Sequence, residues 1–297
     1  MTDTRPRWLV TGAGGMLGQD VLAHLVASGD DAIGLDRRSL DITDPARVRA
    51  AVRQHRPDII VNCAAWTAVD DAEERELEAL RINGDGARNL AEACARAGAS
   101  MLHVSTDYVF AGTATIPYGE DDPTDPVNAY GRTKLAGERA VRATLPDTGY
   151  VVRTAWLYGA GGPNFVRTMI ALERTKDTID VVDDQRGQPT WTGDLAAHLA
   201  RLGRAAVTGA APAGVYHGTS SGEGTWFDLA RETFRLVGAD PARVRPTTSA
   251  AYVRAAARPA FSVLGHAGWH RAGMTPIRDW RAALADAVPV LATEVPR

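Results

Sequence analysis

The sequence contains few cysteines, no long apolar run and no surplus of positive charge. Among its 297 residues there are only two cysteines, Cys63 and Cys94, too few for the disulfide framework of a small secreted domain. No apolar run approaches the roughly 20 residues needed to cross a membrane. Lys and Arg number 33 against 36 Asp and Glu, so the formal net charge of −3 offers no general basic surface to a nucleic acid or an anionic membrane. The composition therefore indicates a soluble globular protein without either of those partners.

The N-terminus and the length narrow the class further. Residues 1–7 are polar and lack the apolar core of a signal peptide, which predicts a cytoplasmic protein. A chain of 297 residues removes roughly three quarters of its unfolded surface from water on folding, so its core needs no disulfide to stabilise it. This length is typical of two domains, or of one domain with a large appendage.

Short apolar runs alternate with helical periodicity through the first half of the chain. The apolar runs are residues 8–11, 32–35, 58–62, 101–104 and 150–153. Helical segments begin near Gly15, Pro45, Glu73 and Ala129. Strands that are apolar on both faces belong to parallel sheets covered by helices. The pattern therefore predicts an α/β fold with a Rossmann-type, doubly wound parallel sheet.

A long loop interrupts this alternation in the first half of the chain, and the pattern is less regular after Tyr158. Residues 112–128 (GTATIPYGEDDPTDPVN) are rich in Gly, Pro and Asp, and a surface loop of this length usually has a function. Helices are predicted over residues 194–204, 226–237 and 277–287. Thr225 and Asp228 have the spacing of an N-cap pair for the second of these helices.

A glycine-rich turn follows the first predicted strand. The segment TGAGGMLG, residues 11–18, leads from that strand into a helix whose apolar face contains Leu17, Val21 and Leu25. Glycine is needed where the backbone approaches a pyrophosphate, and the N-terminal amides of the helix then hold the phosphates. Asp36 lies 24 positions after Gly12, as expected of a carboxylate that binds a ribose. In this context the motif predicts dinucleotide binding, whereas alone it would indicate only an ordinary turn.

The residues around Asp36 point to both nicotinamide cofactors. A carboxylate suits the free ribose hydroxyl of NAD, whereas the neighbouring Arg37 and Arg38 could pair with the 2′-phosphate of NADP. We expect NADPH to be preferred and NADH to be accepted. The alternative is that the two arginines form only a solvated turn, because exposed charges contribute little.

A hydroxyl, a phenol and an ammonium group are predicted to converge at one edge of the sheet. Tyr130 and Lys134 are one helical turn apart, and Thr106 follows the fourth predicted strand, at the carboxyl edge where open α/β sheets bind ligands. Hydride transfer to a carbonyl needs such a set, since an acid must protonate the developing alkoxide. The alternative is a helix-surface tyrosine beside a lysine that extends into solvent, with a threonine that closes a strand.

Tyr130 needs help to act as the acid, because a phenol has an ordinary pKa of about 10. Lys134 at ~4 Å, in an effective dielectric of ~20, would stabilise the phenolate by about 4 kcal/mol. We therefore expect Lys134 to lower the pKa of Tyr130 toward neutrality, and Thr106 to donate a hydrogen bond to the substrate oxygen.

These motifs resemble those of the extended short-chain dehydrogenase/reductases, and within them the dTDP-4-dehydrorhamnose reductase family. The matching segments cover nearly the whole chain: TGAGGMLG (11–18), VNCAAWTAVDDAE (61–73), STDYVF (105–110), NAYGRTKLAGE (128–138), RTAWLYG (153–159), NF (164–165), DDQRGQPTW (183–191) and RPAFSVL (258–264). Two stretches, residues 154–165 and 181–192, further resemble reductases of antibiotic deoxysugar pathways, including the dihydrostreptose synthase type. The resemblance implies NADPH-dependent reduction of the 4-keto group of a dTDP-linked 4-dehydro-6-deoxyhexose.

The resemblance also assigns residues. It implies a catalytic set of Thr106, Tyr130 and Lys134. The cofactor-binding residues that we expect are Gly12, Gly14, Gly15, Met16, Leu17, Asp36, Arg37, Asp41, Ile42, Ala64, Ala65, Thr67, Tyr130 and Lys134. The substrate-binding residues that we expect are Thr106, Asp107, Tyr108, Trp156, Asn164, Gln188 and Arg258. Trp156 is expected to pack on the sugar, and Arg258 either to hold a diphosphate or to be a surface side chain.

Two interleaved domains follow from this assignment. We expect residues 1–160 and 191–215 to form the dinucleotide-binding domain, and residues 161–190 and 216–297 a smaller α/β domain for the sugar nucleotide. We also expect a monomer or a homodimer.

Some features depart from the relatives. Certain relatives are described as dimers assembled around magnesium that glutamates hold, one of them just after the glycine loop. Gln19 and Asp20 stand at that place here, so we expect no required metal. His266 and His270 have helical spacing but no carboxylate beside them, which argues against a zinc site.

Three alternative functions are considered. A nucleotide-sugar dehydratase needs an Asp-Glu pair after the threonine, whereas this chain has Asp107 followed by Tyr108. An epimerase needs only hydride removal and return, so it stays an alternative. The third hypothesis is a non-catalytic, nucleotide-binding regulatory subunit, such as that of methionine adenosyltransferase. The presence of Tyr130 and Lys134 argues against it.

Overall fold

A six-stranded parallel sheet forms the centre of the computed structural model, which describes residues 5–293. The strands are β1 (Arg7–Thr11), β2 (Asp31–Leu35), β3 (Ile59–Asn62), β4 (Ser100–Thr106), β5 (Gly149–Thr154), β6 (Leu157–Tyr158), β7 (Ile179–Val182), β8 (Arg186–Gly187), β9 (Thr190–Trp191), β10 (Gly214–His217), β11 (Ser220–Ser221), β12 (Gly224–Thr225), β13 (Val244–Thr247) and β14 (Ile277–Asp279). The central order is β2-β1-β3-β4-β5-β10, and the other strands form two-stranded pairs. The sheet order reverses between β1 and β3, which is where doubly wound sheets bind ligands.

Helices cover both faces of this sheet. They are α1 (Met16–Ala27), α2 (Pro45–His55), α3 (Asp71–Glu74), α4 (Glu76–Leu80), α5 (Ala87–Ala97), α6 (Ala129–Thr144), α7 (Phe165–Glu173), α8 (Thr192–Val207), α9 (Trp226–Leu236), α10 (Ala267–Arg271) and α11 (Trp280–Thr293). A π-helical turn, Arg81–Gly86, joins α4 to α5, and short 3-10 helices occupy Asp107–Val109, Pro241–Arg243 and Ser249–Ala251. Among residues 5–293, no helix combines the length and the apolar character needed to span a bilayer.

Alternation along the strands explains the two-sided core. Val10 and Val61 on neighbouring strands pack in one apolar cluster with Leu199 of α8, whereas Leu9 and Ile60 face the other side. All of these side chains are fully buried. Because side chains alternate between the two faces of a strand, continuous apolar runs are required to bury both.

A second layer lies beyond the sheet. The parallel pair β7 and β13 packs with α9 in a cluster that includes Ile179, Phe234 and Val244. A neighbouring cluster joins Ile170 of α7 to Trp280 of α11. Of the residues expected to face the substrate, Asn164 caps α7 in this layer, whereas Thr106, Asp107 and Tyr108 lie at the end of β4 in the central sheet.

The fold agrees with the α/β prediction, with one local correction. The helix predicted over residues 277–287 begins only at Trp280, because Ile277 pairs with Ser220 in the short sheet of β11 and β14. The N-cap pair is confirmed, since Thr225 and Asp228 form a capping box at the start of α9. The predicted domain boundary at residue 215 falls inside β10, which pairs with β5 in the central sheet.

Candidate active site

The carboxyl ends of β1 and β3 open into a cleft of about 760 Å³. Ten residues expected to bind the cofactor line it: Gly12, Gly14, Gly15, Asp36, Arg37, Asp41, Ile42, Ala64, Ala65 and Thr67. The cleft lies at the point where the strand order reverses, so its place in the fold is that of a dinucleotide site.

The glycine turn between β1 and α1 is shaped for close backbone approach. Gly12 has φ +68°, and a Cβ on it would lie 2.5 Å from the backbone nitrogen of Ala64. The amide of Gly15 donates to the carbonyl of Gly12 at 2.9 Å. The N-cap residue of α1 is Gly15, whose lack of a side chain leaves the first helical amides without a side-chain cap. These amides can therefore hold phosphates, as a bound dinucleotide requires.

Four of the expected cofactor residues are not among those that line the cleft: Met16, Leu17, Tyr130 and Lys134. Leu17 is buried in the core cluster beneath the sheet. The Met16 sulfur lies 3.7 Å from the amide nitrogen of Asn164, beside the glycine turn. Leu17 could therefore contact a cofactor only through its backbone atoms.

Asp36 lies in the cleft but is largely engaged with its own turn. Its Oδ1 accepts hydrogen bonds from the amides of Arg38 and Ser39, at 3.1 and 2.9 Å, and from the Ser39 hydroxyl at 2.7 Å. The hydrogen bonds from Ser39 lower the pKa of this carboxyl. Arg37 and Arg38 are exposed at the same end of the cleft.

The cleft also contains residues that sequence reasoning missed. Arg75 lies over the ring of Trp66, with its guanidinium carbon 4.7 Å from the ring centroid, and Arg81 lines the same wall. Asn83, in the π-helical turn, accepts a hydrogen bond from the amide of Trp66 at 2.8 Å and donates to the hydroxyl of Thr133 at 3.0 Å. Their position after the third strand is the only sequence signal for a role at the cleft. Their contacts could not be predicted, because these depend on the packing of three separate segments.

The residues predicted to be catalytic lie at the end of β4 and in the first turns of α6. Asn128 caps α6 and accepts a hydrogen bond from the amide of Gly131 at 2.8 Å, which fixes the start of the helix that contains Tyr130 and Lys134. Thr106 ends β4 and is 5% exposed. Thr106 is close enough to Tyr130 to lower the pKa of the phenol. The structure thus places Thr106 near Tyr130, and Lys134 one turn later in the same helix.

Lys134 is buried and held in place. Its Nζ donates to the carbonyl of Val104 at 2.6 Å. Burial lowers the pKa of Lys134 to about 8, although Glu138, one turn later, acts in the opposite direction. The Lys134 charge also acts on Cys63, which lines the cofactor cleft, so the lysine lies between the cleft and the catalytic residues.

The expectation of a lowered pKa for Tyr130 is wrong in this structure. Burial raises the pKa of Tyr130, and the neighbouring Asp107 raises it further, whereas hydrogen bonding to Thr106 lowers it. Desolvation disfavours the phenolate more than the surroundings stabilise it. Tyr130 therefore holds its proton firmly at neutral pH.

Asp107 is the buried acid of the site. Burial raises the pKa of Asp107 to about 6, and hydrogen bonds with Ser262 and Thr106 act against that rise. The Thr106 hydroxyl donates to Oδ1 of Asp107 at 3.0 Å. Tyr108 follows, with its ring edge-on to that of Tyr130 at 5.9 Å between centroids.

Trp156 has a strained backbone and a stacked partner. Its φ is +45°, a region that side-chain-bearing residues rarely adopt. Its ring stacks on that of Trp226 at 3.8 Å and 12°, and a Cβ on Gly187 would lie 2.7 Å from the Trp156 ring. Strain of this kind clusters at functional sites. Trp226 was not predicted as a site residue, because no local sequence pattern indicates that two tryptophans 70 residues apart stack on each other.

Asn164 and Gln188 are occupied by internal hydrogen bonds. Asn164 caps α7 through Oδ1, while its Nδ2 donates to the carbonyl of Gly159 at 2.7 Å. Gln188 is 2% exposed; it donates to the carbonyl of Leu264 and accepts from the Leu264 amide and from the hydroxyl of Thr219. Both side chains hold loops at the site.

Arg258 is paired with Asp70. Its two terminal nitrogens donate to the two carboxylate oxygens of Asp70, each at 2.8 Å. The hydrogen bonds from Arg258 lower the pKa of Asp70 to about 2. The guanidinium is about half-buried near Tyr108, whose negative form would raise the pKa of Arg258, so it lies beside the site rather than at a remote surface.

Residues 19 and 20 connect the cofactor turn to the second half of the chain. Gln19 Nε2 donates to the carbonyls of Gly14 at 2.9 Å and Gly161 at 3.1 Å. Asp20 accepts a hydrogen bond from Thr192 at the start of α8. In the part of the chain that the structure describes, no three His, Cys, Asp or Glu side chains lie together so as to hold a metal ion.

Comparison with known proteins gives relatives over the whole length. The model of a family described as RmlD substrate binding domain matches residues 6–292. A dTDP-4-dehydrorhamnose reductase from Streptomyces griseus is 61% identical over 287 residues, which cover 97% of this chain and 94% of that protein. A dTDP-4-keto-6-deoxy-D-glucose reductase from Streptomyces niveus is 55% identical over 291 residues, which cover 98% of each.

Solved structures agree with this grouping. A dTDP-4-dehydrorhamnose reductase from Clostridium acetobutylicum superposes with a TM-score of 0.91 at 41% identity, covering 96% of this chain and 99% of that one. One from Bacillus anthracis, in complex with NADP, has a TM-score of 0.91 at 36% identity and covers 97% and 100%. The resemblance indicated by the motifs is confirmed, and the chain belongs to the RmlD substrate binding domain family.

Proposed function

We propose that the protein is an NADPH-dependent reductase that converts the 4-keto group of a dTDP-linked 4-dehydro-6-deoxyhexose into a hydroxyl. The observation that carries this function is the grouping of Thr106, Tyr130 and Lys134 beside a cleft with a dinucleotide-binding turn. The names of the similar proteins support the class of substrate.

The cleft fits a nicotinamide dinucleotide. The glycine turn offers a surface that a Cβ on Gly12 would block, and the uncapped amides of α1 suit a pyrophosphate. A bound nicotinamide cofactor supplies the hydride. NADPH is favoured because Oδ1 of Asp36 is engaged by Ser39, while Arg37 and Arg38 are exposed toward the ribose end of the cleft.

Tyr130 acts as the proton donor. Its raised pKa keeps the phenol protonated at neutral pH, so the proton is available when negative charge develops on the substrate oxygen. An alkoxide is a stronger base than a phenolate, so this transfer needs no lowering of the phenol pKa. For reduction, the raised pKa is therefore compatible with the mechanism.

Lys134 and Thr106 support this proton transfer. A charged Lys134 stabilises the phenolate that remains after transfer, and the hydrogen bond to Val104 fixes the position of the ammonium group. The Thr106 hydroxyl, already placed between Asp107 and Tyr130, would donate to the substrate oxygen. Oriented donors of this kind contribute most in a desolvated site.

The remaining residues shape the substrate side. We assign Asp107, Tyr108 and Trp156 to sugar contact because they lie around Tyr130 and the strained turn after β5. Arg258 beside Tyr108 is the cation for the diphosphate, with Asp70 orienting it. Asn164 and Gln188 position the loops through internal hydrogen bonds.

The test is NADPH oxidation against a panel of dTDP-4-keto-6-deoxyhexoses. We expect one NADPH to be consumed for each ketone reduced, with NADH used less efficiently. Tyr130→Phe removes the donor and leaves the ring, so turnover should fall by about 10²- to 10⁴-fold while NADPH still binds. Fluorescence of bound NADPH separates these two effects.

Two results would contradict the proposal. Unchanged turnover in Tyr130→Phe would remove Tyr130 from the mechanism. Conversion of the sugar with no net loss of NADPH would instead identify an epimerase, which returns the cofactor unchanged.

A further inference from the structure

A second groove lies at the amino edge of the central sheet, opposite the catalytic cleft. It has a volume of about 540 Å³ and is bordered by α2, by α5 and by the residues that lead into β1 and β3. Since β1 is five residues long, the groove and the glycine turn are roughly 15 Å apart. The groove therefore belongs to neither the cofactor cleft nor the substrate side.

Positive charge is concentrated in this groove. Among residues 5–293, five arginines line it, Arg7, Arg49, Arg53, Arg56 and Arg96, against a single carboxylate, that of Asp58. Oδ2 of Asp58 accepts a hydrogen bond from the backbone amide of Arg7 at 2.8 Å, so this carboxylate is engaged with the backbone and not with an arginine side chain. The chain as a whole has a net charge of −3, which makes a local surplus of four positive charges unusual within it.

These arginines have few partners. Within residues 5–293, Arg7, Arg49, Arg53 and Arg56 form no ion pair, and Arg96 approaches Glu92 only at 3.8 Å. Unpaired guanidinium groups that are close together repel one another. An anion bound between them would reduce this repulsion.

Another arginine cluster on the molecule shows the contrasting case. Arg231, Arg235 and Arg281 line a cavity of about 230 Å³ together with Asp228 and Glu232. There Arg235 pairs with both oxygens of Glu232, at 2.9 and 2.6 Å. That cluster is balanced by its own carboxylates, whereas the amino-edge groove is not.

Arg56 has an unusual backbone for an arginine. It follows the last turn of α2 with φ +45° and ψ 54°, the left-handed conformation that helix ends usually give to glycine or asparagine. The carbonyls at the ends of α2 and α5 favour the cations Arg53, Arg56 and Arg96. They do not account for Arg49, a turn and a half earlier in α2, or for Arg7, which starts β1.

We propose that this arginine groove binds a compound with two or more phosphate groups. Guanidinium groups bind phosphate oxygens in pairs and stay charged at any physiological pH. The groove volume lies within the range of small-ligand sites. The buried side chains of Val52, Pro57 and Ala93 add an apolar wall on which a base or a sugar could pack.

The test is calorimetric titration of the full chain with inorganic tripolyphosphate at low salt. NADP⁺ is added at one equivalent, enough for the catalytic cleft but not in excess, because NADP⁺ itself carries several phosphates and an excess would compete for the groove. The triple variant Arg49→Ala/Arg53→Ala/Arg56→Gly should raise the dissociation constant about tenfold or more. Its melting temperature should not fall, because glycine relieves the left-handed backbone at residue 56. The single variant Arg53→Gln, which keeps the helix intact, should show a smaller loss in the same direction.

The matched control is Arg231→Ala/Arg235→Ala/Arg281→Ala, which removes the same charge from the balanced cluster. It should leave the dissociation constant within about twofold. No binding to the wild type, or an equal loss in both triple variants, would overturn the proposal. ATP is the second probe. If ATP binds more tightly than tripolyphosphate, the apolar wall contacts the base; if the two bind equally, the site recognises the phosphates alone. Both outcomes support the proposed phosphate site.

Discussion

The cofactor side and the substrate side of the catalytic site are built differently. On the cofactor side, the glycine turn and the exposed Arg37 and Arg38 face an open cleft, with few side-chain partners. On the substrate side, Trp156 stacks on Trp226, and Gln188 is held by buried hydrogen bonds. Substitution on the cofactor side should therefore change affinity alone, whereas substitution on the substrate side should also change stability and geometry.

The largest effect is expected where the two sides meet, at Lys134. Lys134→Met removes the charge and keeps the chain length, so kcat/KM for the ketone should fall by more than about 100-fold. The unfolding free energy should change by no more than about 1 kcal/mol, because the lost hydrogen bond to Val104 is offset by relief of a buried charge. Steady-state kinetics and urea unfolding measure the two quantities.

The pH dependence sharpens this prediction. In the free enzyme the pKa of Lys134 is about 8, so kcat/KM should decline above that pH as the ammonium group loses its proton. Stability should move the other way, since between pH 8 and the ordinary lysine pKa the unfolded chain binds more protons. Arg132→Met, on the exposed side of the same helix, is the control; an equal loss of activity there would contradict a specific role for Lys134.

The next effect is on stability at Gln188. Gln188→Ala leaves the amide and carbonyl of Leu264 without their partner in a buried place, which should cost about 2 kcal/mol of unfolding free energy. The substrate KM should rise with it, while the NADPH KM stays constant. Gln54→Ala on the exposed face of α2 is the control for urea unfolding. If Gln188→Ala were as stable as the wild type, substitutions on the substrate side would not affect stability more than those on the cofactor side, and the comparison would fail.

Trp226 offers a smaller effect on geometry. Trp226→Leu removes the ring on which Trp156 stacks, a contact of about 0.5–1.5 kcal/mol. We expect the substrate KM to rise by up to about tenfold, with the NADPH KM unchanged, because Trp156 loses its fixed orientation. Phe227→Leu, at the next position of α9, is the control. A change in the NADPH KM instead would show that Trp226 acts on the cofactor side, which would contradict this prediction.

The smallest effect is expected at Arg37. Arg37→Ala removes an exposed cation, so the NADPH KM should rise about fivefold, or about 1 kcal/mol, with unchanged thermal stability. The NADH KM should stay constant, since NADH lacks the 2′-phosphate. Arg142→Ala, exposed on α6, controls for loss of charge. Equal changes for NADPH and NADH would argue against phosphate binding by Arg37.

The cofactor side could be predicted from the sequence because its parts follow the strands directly. Gly12 follows β1 and Asp36 follows β2, and parallel strands bring their carboxyl ends to one edge. The place of the candidate catalytic residues in the fold could be predicted for the same reason, since Thr106 ends β4 and Tyr130 lies in the first turn of α6.

The substrate side could not be predicted to the same depth. The pairing of Asp70 with Arg258 joins segments that are far apart in sequence, and the stack of Trp156 on Trp226 depends on the packing of α9. The pKa of Tyr130 was predicted in the wrong direction because the spacing to Lys134 gives a Coulomb energy but not the burial that opposes it.

The π-helical turn at Arg81–Gly86 has a consequence for insertions and deletions. Such a turn contains one residue more than an α-helical turn, so a deletion there would leave an unbroken α-helix. Because the wide turn takes up the extra residue locally, α5 would keep its orientation relative to α4, but the widened turn that places Asn83 would be lost. Asn83 could then no longer hold Trp66 and Thr133 while α5 buries its apolar face. The wall of the cofactor cleft therefore depends on the number of residues between α4 and α5. We expect that number to stay constant among relatives even where the residue types differ.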